Sequence, residues 1–186
     1  MANRHTEFLV AANSPAPRSL PESIRQVGNL SAGFCRSWLF REIPEALTTS
    51  EEAFQLFDHI QNELLRHRDE KSNLPGWPTD PFKVALDVIV GVLIDPASPA
   101  DKAFFQSCLP GAGALPPGAS QVPLTLATAL NKLKHRGTSA VNFTASSPSA
   151  HVLYIFTNAG MGKQDTISSF DVHVFCSACK AAAGAI

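Results

Sequence analysis

The segment from residue 141 to residue 175 reads VNFTASSPSAHVLYIFTNAGMGKQDTISSFDVHVF. Three stretches within it, residues 141–144, 151–157 and 169–175, are rich in β-branched and aromatic residues, and turn residues separate them. This alternation predicts a meander of at least three antiparallel strands. The segment therefore places a β-sheet in the carboxyl-terminal part of the chain.

The residues before this segment carry helix-start signals. Ser31 is predicted to cap a helix, and Thr49 with Glu52 forms a capping-box pattern ahead of apolar residues at three- and four-residue steps. Asp80 and Ser98 are each followed by proline, which favours the first position of a helix. Together with a helix that ends at Gly137, these signals predict about five helices, near residues 31–43, 49–68, 81–94, 99–109 and 123–136. We expect an α+β fold in which N-terminal helices pack on a C-terminal antiparallel sheet.

Composition excludes several classes of protein. The 186 residues carry a net charge of −1, with 15 Lys and Arg against 16 Asp and Glu, so the basic surface of a nucleic-acid-binding protein is missing. No apolar run approaches the roughly 20 residues of a membrane-spanning helix. Residues 1–22 are rich in Ser and Pro and lack the apolar core of a Sec signal peptide, so they are predicted to be a flexible leader. Residues 23–186 are predicted to form one domain.

The four cysteines are Cys35, Cys108, Cys176 and Cys179. A secreted disulfide scaffold would be shorter and richer in cysteine, so reduced thiols are expected. Cys108 is interpreted as core filler. His173 with Cys176 and Cys179 supplies three zinc-type ligands, but no second well-spaced pair accompanies them. The favoured interpretation of residues 176–186 is a small-residue tail.

One set of residues has the arrangement of an activated nucleophile. Cys35 falls in the first turn of its predicted helix, where the helix dipole would stabilise a thiolate, although a lone helical cysteine is more often buried core. His151 opens a strand and Asp171 lies near the end of the next one, so a hairpin would place them opposite each other on one face. His173, two residues further on, is the alternative to Asp171. A nucleophile, a base and an orienting group would then be present.

The order and spacing of these residues resemble the papain-like cysteine proteases, and more narrowly the YopT/AvrPphB-type effector proteases of bacterial type III secretion. The motifs that carry the resemblance are short: Gly33-Phe34-Cys35-Arg36-Ser37-Trp38, His151-Val-Leu-Tyr-Ile-Phe and Phe170-Asp171. The family's Pro-Asn after the aspartate is replaced here by Val172-His173.

The resemblance implies a papain-like fold over residues 23–186 and a cysteine protease that cleaves a host protein. Cys35 would be the nucleophile, His151 the base, Asp171 the orienting group and Asn29 the oxyanion donor, with no metal or cofactor. It also implies delivery into a host cell, with the leader as the secretion signal and a secretion chaperone as a candidate partner. A deamidase, acyltransferase or amidase with the same triad is the nearest alternative. A non-enzymatic interaction module with structural cysteines is the alternative from another class.

Overall fold

The computed structural model describes residues 19–136, 141–147, 150–158 and 164–186. Six α-helices lie in these ranges: α1 Leu20–Leu39, α2 Ile43–Lys71, α3 Pro81–Leu86, α4 Pro99–Ser107, α5 Leu126–Lys134 and α6 Val172–Ala183. A short 3-10 helix, Trp77–Thr79, precedes α3. Five strands accompany them: β1 Ile89–Ile94, β2 Val122–Thr125, β3 Val141–Ser147, β4 Ala150–Thr157 and β5 Thr166–Asp171.

The five strands form one antiparallel sheet in the order β2-β1-β5-β4-β3. One face is covered by α1, α2, α3, α5 and α6, and the large apolar core lies between them, with Ile60, Leu130 and Phe175 fully buried. Helix α4 covers the other face, where its Phe105 packs against Phe156. The predicted α+β class, with mostly N-terminal helices and a sheet of three or more strands, is confirmed.

The predicted helix over residues 81–94 is wrong beyond its first turns. Asp80 caps α3 as expected, because its side chain accepts the N–H of Phe82, but α3 ends at Leu86. Residues 89–94 instead form β1, which pairs with β2 on one side and β5 on the other. A short run of Val, Ile and Leu fits a buried strand as well as a buried helix, and here pairing within the sheet determines the outcome. The helix predicted over residues 123–136 is likewise preceded by β2.

Two predicted helix starts are also wrong. The first helix begins at Leu20, with proline in its first turn, so Ser31 lies inside α1 and caps nothing. Thr49 lies inside α2, and its hydroxyl donates to the carbonyl of Glu45, one turn earlier. Such back-bonding satisfies a hydroxyl within a helix, so a capping-type sequence pattern occurs here without a helix start. The Ser98 start is confirmed, because Ser98 and Asp101 form a capping box.

The predicted small-residue tail is wrong as well. Residues 172–183 form α6, in which Cys176 and Cys179 are buried and His173 is exposed in the first turn. His173 is therefore not part of a strand, so a register shift of β5 would not place it opposite His151. The start of α1 at Leu20 lies within the predicted leader, whose residues 1–18 are outside the described ranges. Among the described residues, no helix is both long and apolar enough to cross a bilayer.

Gly91 lies where the backbones of β1 and β5 leave no room for a side chain. A Cβ at this position would lie 2.0 Å from the carbonyl oxygen of Ser169 and 2.9 Å from the Cβ of Phe170. We expect Gly91→Ala to lower the free energy of unfolding by about 3 kcal/mol or more, because the strands would have to separate. Gly28→Ala is the control: Gly28 is also in a regular element, α1, but none of the described residues has an atom within 4 Å of the position that its Cβ would take. Urea denaturation should show a large loss for Gly91→Ala and a small gain for Gly28→Ala; equal midpoints would contradict the expectation.

Candidate functional site

His151 lies at the start of β4 and contacts α1. Its Nδ1 is 2.9 Å from the Oγ of Ser31, within hydrogen-bond distance. The ring of Phe34 stacks on the imidazole, with 5.0 Å between ring centroids and 17° between ring planes. Because Ser31 and Phe34 are three residues apart on α1, they face the strand together. The base predicted from the sequence therefore has a hydroxyl as its partner.

Burial sets the protonation state of His151. It lowers the pKa of the imidazole from 6.5 to about 4, and the opposing effect of the Asp171 charge is smaller. The ring is neutral at pH 7, so one nitrogen carries a proton and the other is free to accept one. The Nε2 atom is buried and has no hydrogen-bond partner among the described residues. The 2.9 Å distance between Nδ1 and the Ser31 Oγ fits either tautomer of the ring; with the proton on Nε2, Nδ1 accepts from the Ser31 hydroxyl, which is the geometry of a general base.

Ser31 and His151 line a pocket of about 280 Å³ that lies between α1, α2, β3 and β4. Its wall is mainly apolar and includes Phe34, Trp38 and Phe143. Among the described residues that line it there is no Asp, Glu, Lys or Arg, and the hydroxyl groups are those of Ser31 and Ser50. An apolar pocket with a few convergent polar atoms is typical of a ligand-binding or catalytic site.

A loop braces one wall of this pocket through Asn142. The Asn142 amide donates to the carbonyls of Cys108 and Leu109, and its oxygen accepts the N–H of Gly111. At Gly111, φ is +81° and a Cβ would lie 2.5 Å from the Trp38 ring. Only glycine fits this combination of backbone and contact. Gly111 therefore packs directly against the indole of Trp38.

The structure places Cys35 in a setting that opposes a thiolate. Cys35 lies in the carboxyl-terminal part of α1, fifteen residues after Leu20, rather than in its first turn. It is fully buried, and burial followed by the charge of Asp171 raises the pKa of its thiol to about 11. The predicted lowering of this pKa by a helix amino terminus is therefore wrong. Among the described residues, the hydrogen bond of the His151 ring goes to Ser31 and not to Cys35.

Asp171 is one residue out of the predicted register. Val152, not His151, is its partner across the β4–β5 pair. The Asp171 carboxylate caps α6, because its Oδ1 accepts the N–H groups of His173 and Val174 at 2.8 and 3.0 Å. Its negative charge still reaches the imidazole, where it raises the pKa. Asp171 acts on His151 through its field rather than through a hydrogen bond.

Asn29 lies away from the other predicted site residues. It is exposed on α1, six residues before Cys35. Six residues correspond to about 9 Å along a helix axis and about 120° around it. The two side chains therefore do not share a face, and this conformation does not bring the Asn29 amide to the Cys35 thiol.

The remaining cysteines have structural surroundings. Cys176 and Cys179 are buried free thiols on α6; burial raises the pKa of Cys176 to about 12 and that of Cys179 well above its ordinary value. Cys108 is half-buried at the end of α4, where its thiol donates a hydrogen bond to the carbonyl of Phe104. Within the described ranges, His, Cys, Asp and Glu side chains form no group of three that could hold a metal ion.

Ser31 is the site residue that the sequence reasoning missed. Its position before an apolar stretch suggests a helix cap, which removes it from the candidates. The available signal was spacing: Ser31 lies four residues before Cys35 and three before Phe34, so any helix extended upstream puts all three on neighbouring positions of one face.

Comparison with known proteins adds no assignment. The chain matches no family model, no curated protein and no solved structure.

Proposed function

We propose that this protein is a hydrolase that transfers an acyl group to Ser31, with His151 as the general base. The observation that carries the proposal is the 2.9 Å contact between the Ser31 Oγ and the His151 Nδ1 in the wall of an apolar pocket. A hydroxyl is a weak nucleophile until an adjacent base takes its proton, and a neutral imidazole at this distance can do so.

The reaction follows from these two groups. The Ser31 Oγ adds to the carbonyl carbon of the substrate while its proton moves to the His151 Nδ1. The bond to the leaving group then breaks, and the same proton passes to the departing oxygen or nitrogen. Water next attacks the Ser31 ester, His151 again takes and returns a proton, and a carboxylic acid leaves with Ser31 regenerated.

Asp171 would assist through its charge. During each step the imidazole becomes positively charged, and burial alone disfavours that state. The carboxylate of Asp171 opposes this cost, because its charge raises the pKa of His151. This role differs from that of an orienting group, which would need a hydrogen bond to Nε2.

The predicted Cys35-His151-Asp171 triad remains the competing proposal. At pH 7, a thiol with a pKa of about 11 is ionised in about one molecule in ten thousand. A thiolate mechanism would also need the Cys35 Sγ to replace the Ser31 hydroxyl at Nδ1. Cleavage of a host protein and delivery into a host cell depend on the sequence resemblance and stay predictions.

Inhibitor selectivity tests the proposal. A fluorophosphonate, which reacts with activated serine hydroxyls, should inactivate the protein towards a p-nitrophenyl ester, whereas iodoacetamide should not at pH 7. Ser31→Ala should abolish incorporation of the fluorophosphonate, and Cys35→Ala should leave it unchanged. Rapid inactivation by iodoacetamide that disappears in Cys35→Ala would establish the cysteine mechanism instead and overturn ours.

A further inference from the structure

We infer that the apolar pocket beside Ser31 binds an uncharged aliphatic acyl chain of roughly ten carbon atoms. The inference rests on the proposed function, since the acyl group is the part of the substrate that Ser31 would receive. It adds the class of substrate, which the Ser31–His151 contact alone does not specify.

The volume of the pocket sets the size of the group. An apolar cavity of about 150 Å³ takes up one benzene molecule, which has six carbon atoms. The pocket here measures about 280 Å³. At the same degree of filling it holds roughly ten carbon atoms. A short acyl group such as acetyl would leave most of this space without contacts.

The chemistry of the wall excludes a charged group inside the pocket. In the part of the chain that the structure describes, the lining carries no Asp, Glu, Lys or Arg side chain, and His151 is neutral at pH 7. A charge placed there would lose its hydration without gaining a partner. The carbonyl of an ester or amide is uncharged and is also the group on which Ser31 acts. The polar end of the ligand therefore belongs at Ser31, and its apolar chain against the rings.

The mouth of the pocket continues as apolar surface. Ile43 and Leu47, at the start of α2, line the pocket and are 51% and 60% exposed. Large apolar side chains grouped at a pocket mouth are typical of a binding surface. A chain that outgrows the pocket would contact Ile43 and Leu47 before it reached water.

An extended peptide fits this site less well. The nearest sheet edge is β3, and a peptide that adds to a sheet depends on free backbone groups along that edge. The carbonyl of Phe143 on β3 already accepts the N–H of Gly113 at 2.9 Å. A ligand that needs no backbone pairing, such as an alkyl chain, avoids this obstruction.

Binding to an unreactive variant tests the inference apart from catalysis. In Ser31→Ala/Trp77→Phe, Trp38 is the remaining tryptophan and lines the pocket, so its fluorescence reports occupancy. We expect methyl butanoate, hexanoate, octanoate and decanoate to bind with a Kd that falls about fourfold for each added methylene. A Kd that does not change with chain length would overturn the inference, as would tighter binding of N-acetyl-phenylalanine amide than of methyl octanoate.

A matched pair of surface variants locates the bound chain. Leu47→Asp puts a charge at the pocket mouth, whereas Leu74→Asp makes the same change at a residue that is 58% exposed and does not line the pocket. In the same background, Leu47→Asp should weaken decanoate binding at least tenfold and butanoate binding little. Leu74→Asp should change neither. Equal effects of the two variants would overturn the placement of the chain.

If the esters bind as expected but the protein with Ser31 intact does not hydrolyse them, the proposed function fails and the ligand class stands.

Discussion

Replacing Ser31 by alanine is expected to lower kcat/KM for an uncharged acyl ester by about a thousandfold or more, whereas Cys35→Ala should change it by less than about threefold. The large effect follows because the alanine variant has no atom to attack the carbonyl, and nucleophile removal is among the most costly changes in such enzymes. The small effect follows because the Cys35 thiol is fully buried, has a raised pKa and is not the partner of His151 in the described structure.

Two further measurements show whether the loss of activity in Ser31→Ala is chemical. Ser37 is a buried serine on α1 that does not line the pocket, so Ser37→Ala should retain activity if the loss in Ser31→Ala is chemical. The acid limb of the kcat/KM profile should lie near pH 4, the pKa of His151, rather than near the ordinary value of 6.5. A variant series in which Cys35→Ala is inactive and Ser31→Ala is not would contradict the assignment.

Acidification from pH 7.5 to pH 4.5 is expected to remove about 2.5 kcal/mol of folding stability through His151 alone. The pKa of this imidazole is about 4 in the native state because it is buried, and 6.5 when exposed. Between these values the unfolded chain binds the proton and the native protein does not. The contribution of His151 to stability therefore rises with pH in this interval. It is fully present above about pH 6.5 and is lost as the pH falls towards 4.

Comparison of the native protein with His151→Gln isolates the contribution of His151 to the loss of stability. His151→Gln keeps a polar side chain near Ser31 but has no proton to gain in this range. Guanidinium or urea denaturation of both proteins at pH 7.5 and pH 4.5 gives the loss on acidification for each. The native protein should lose about 2.5 kcal/mol more than the variant, because the other histidines and carboxylates contribute to both. Equal losses would mean that His151 is protonated in the native state at pH 4.5.

The sequence predicted the fold class because its strongest patterns are local. The β-branched and aromatic stretches predicted the meander, although residues 172–175 of the third stretch belong to α6. Ser98 followed by proline predicted the start of α4, where Ser98 and Asp101 form a capping box. The apolar run over residues 89–94 favours a helix as much as a strand, because consecutive apolar residues have no periodicity that separates the two. Its pairing with β5 is a contact between residues far apart in the chain, which no local pattern reveals.

The candidate site was predicted in part. His151 opens β4 as expected, and its burial follows from the packing of α1 on that strand. Which residue of α1 contacts His151 depends on where the helix begins. A helix that starts at Ser31 would have Cys35 in its first turn, whereas the observed helix starts at Leu20 and has Cys35 near its carboxyl end. The single-residue difference in the β4–β5 register separated Asp171 from His151, and register is fixed by tertiary packing.

The site of acylation tests most directly whether Ser31 is the nucleophile. The protein is mixed with p-nitrophenyl octanoate, quenched in acid within the first turnover, digested and examined by mass spectrometry. An octanoyl group is expected on Ser31, in the peptide that contains Gly33 and Cys35, and it should be absent from Ser31→Ala. An octanoyl group on Cys35, or p-nitrophenol release with no acylated residue, would contradict it.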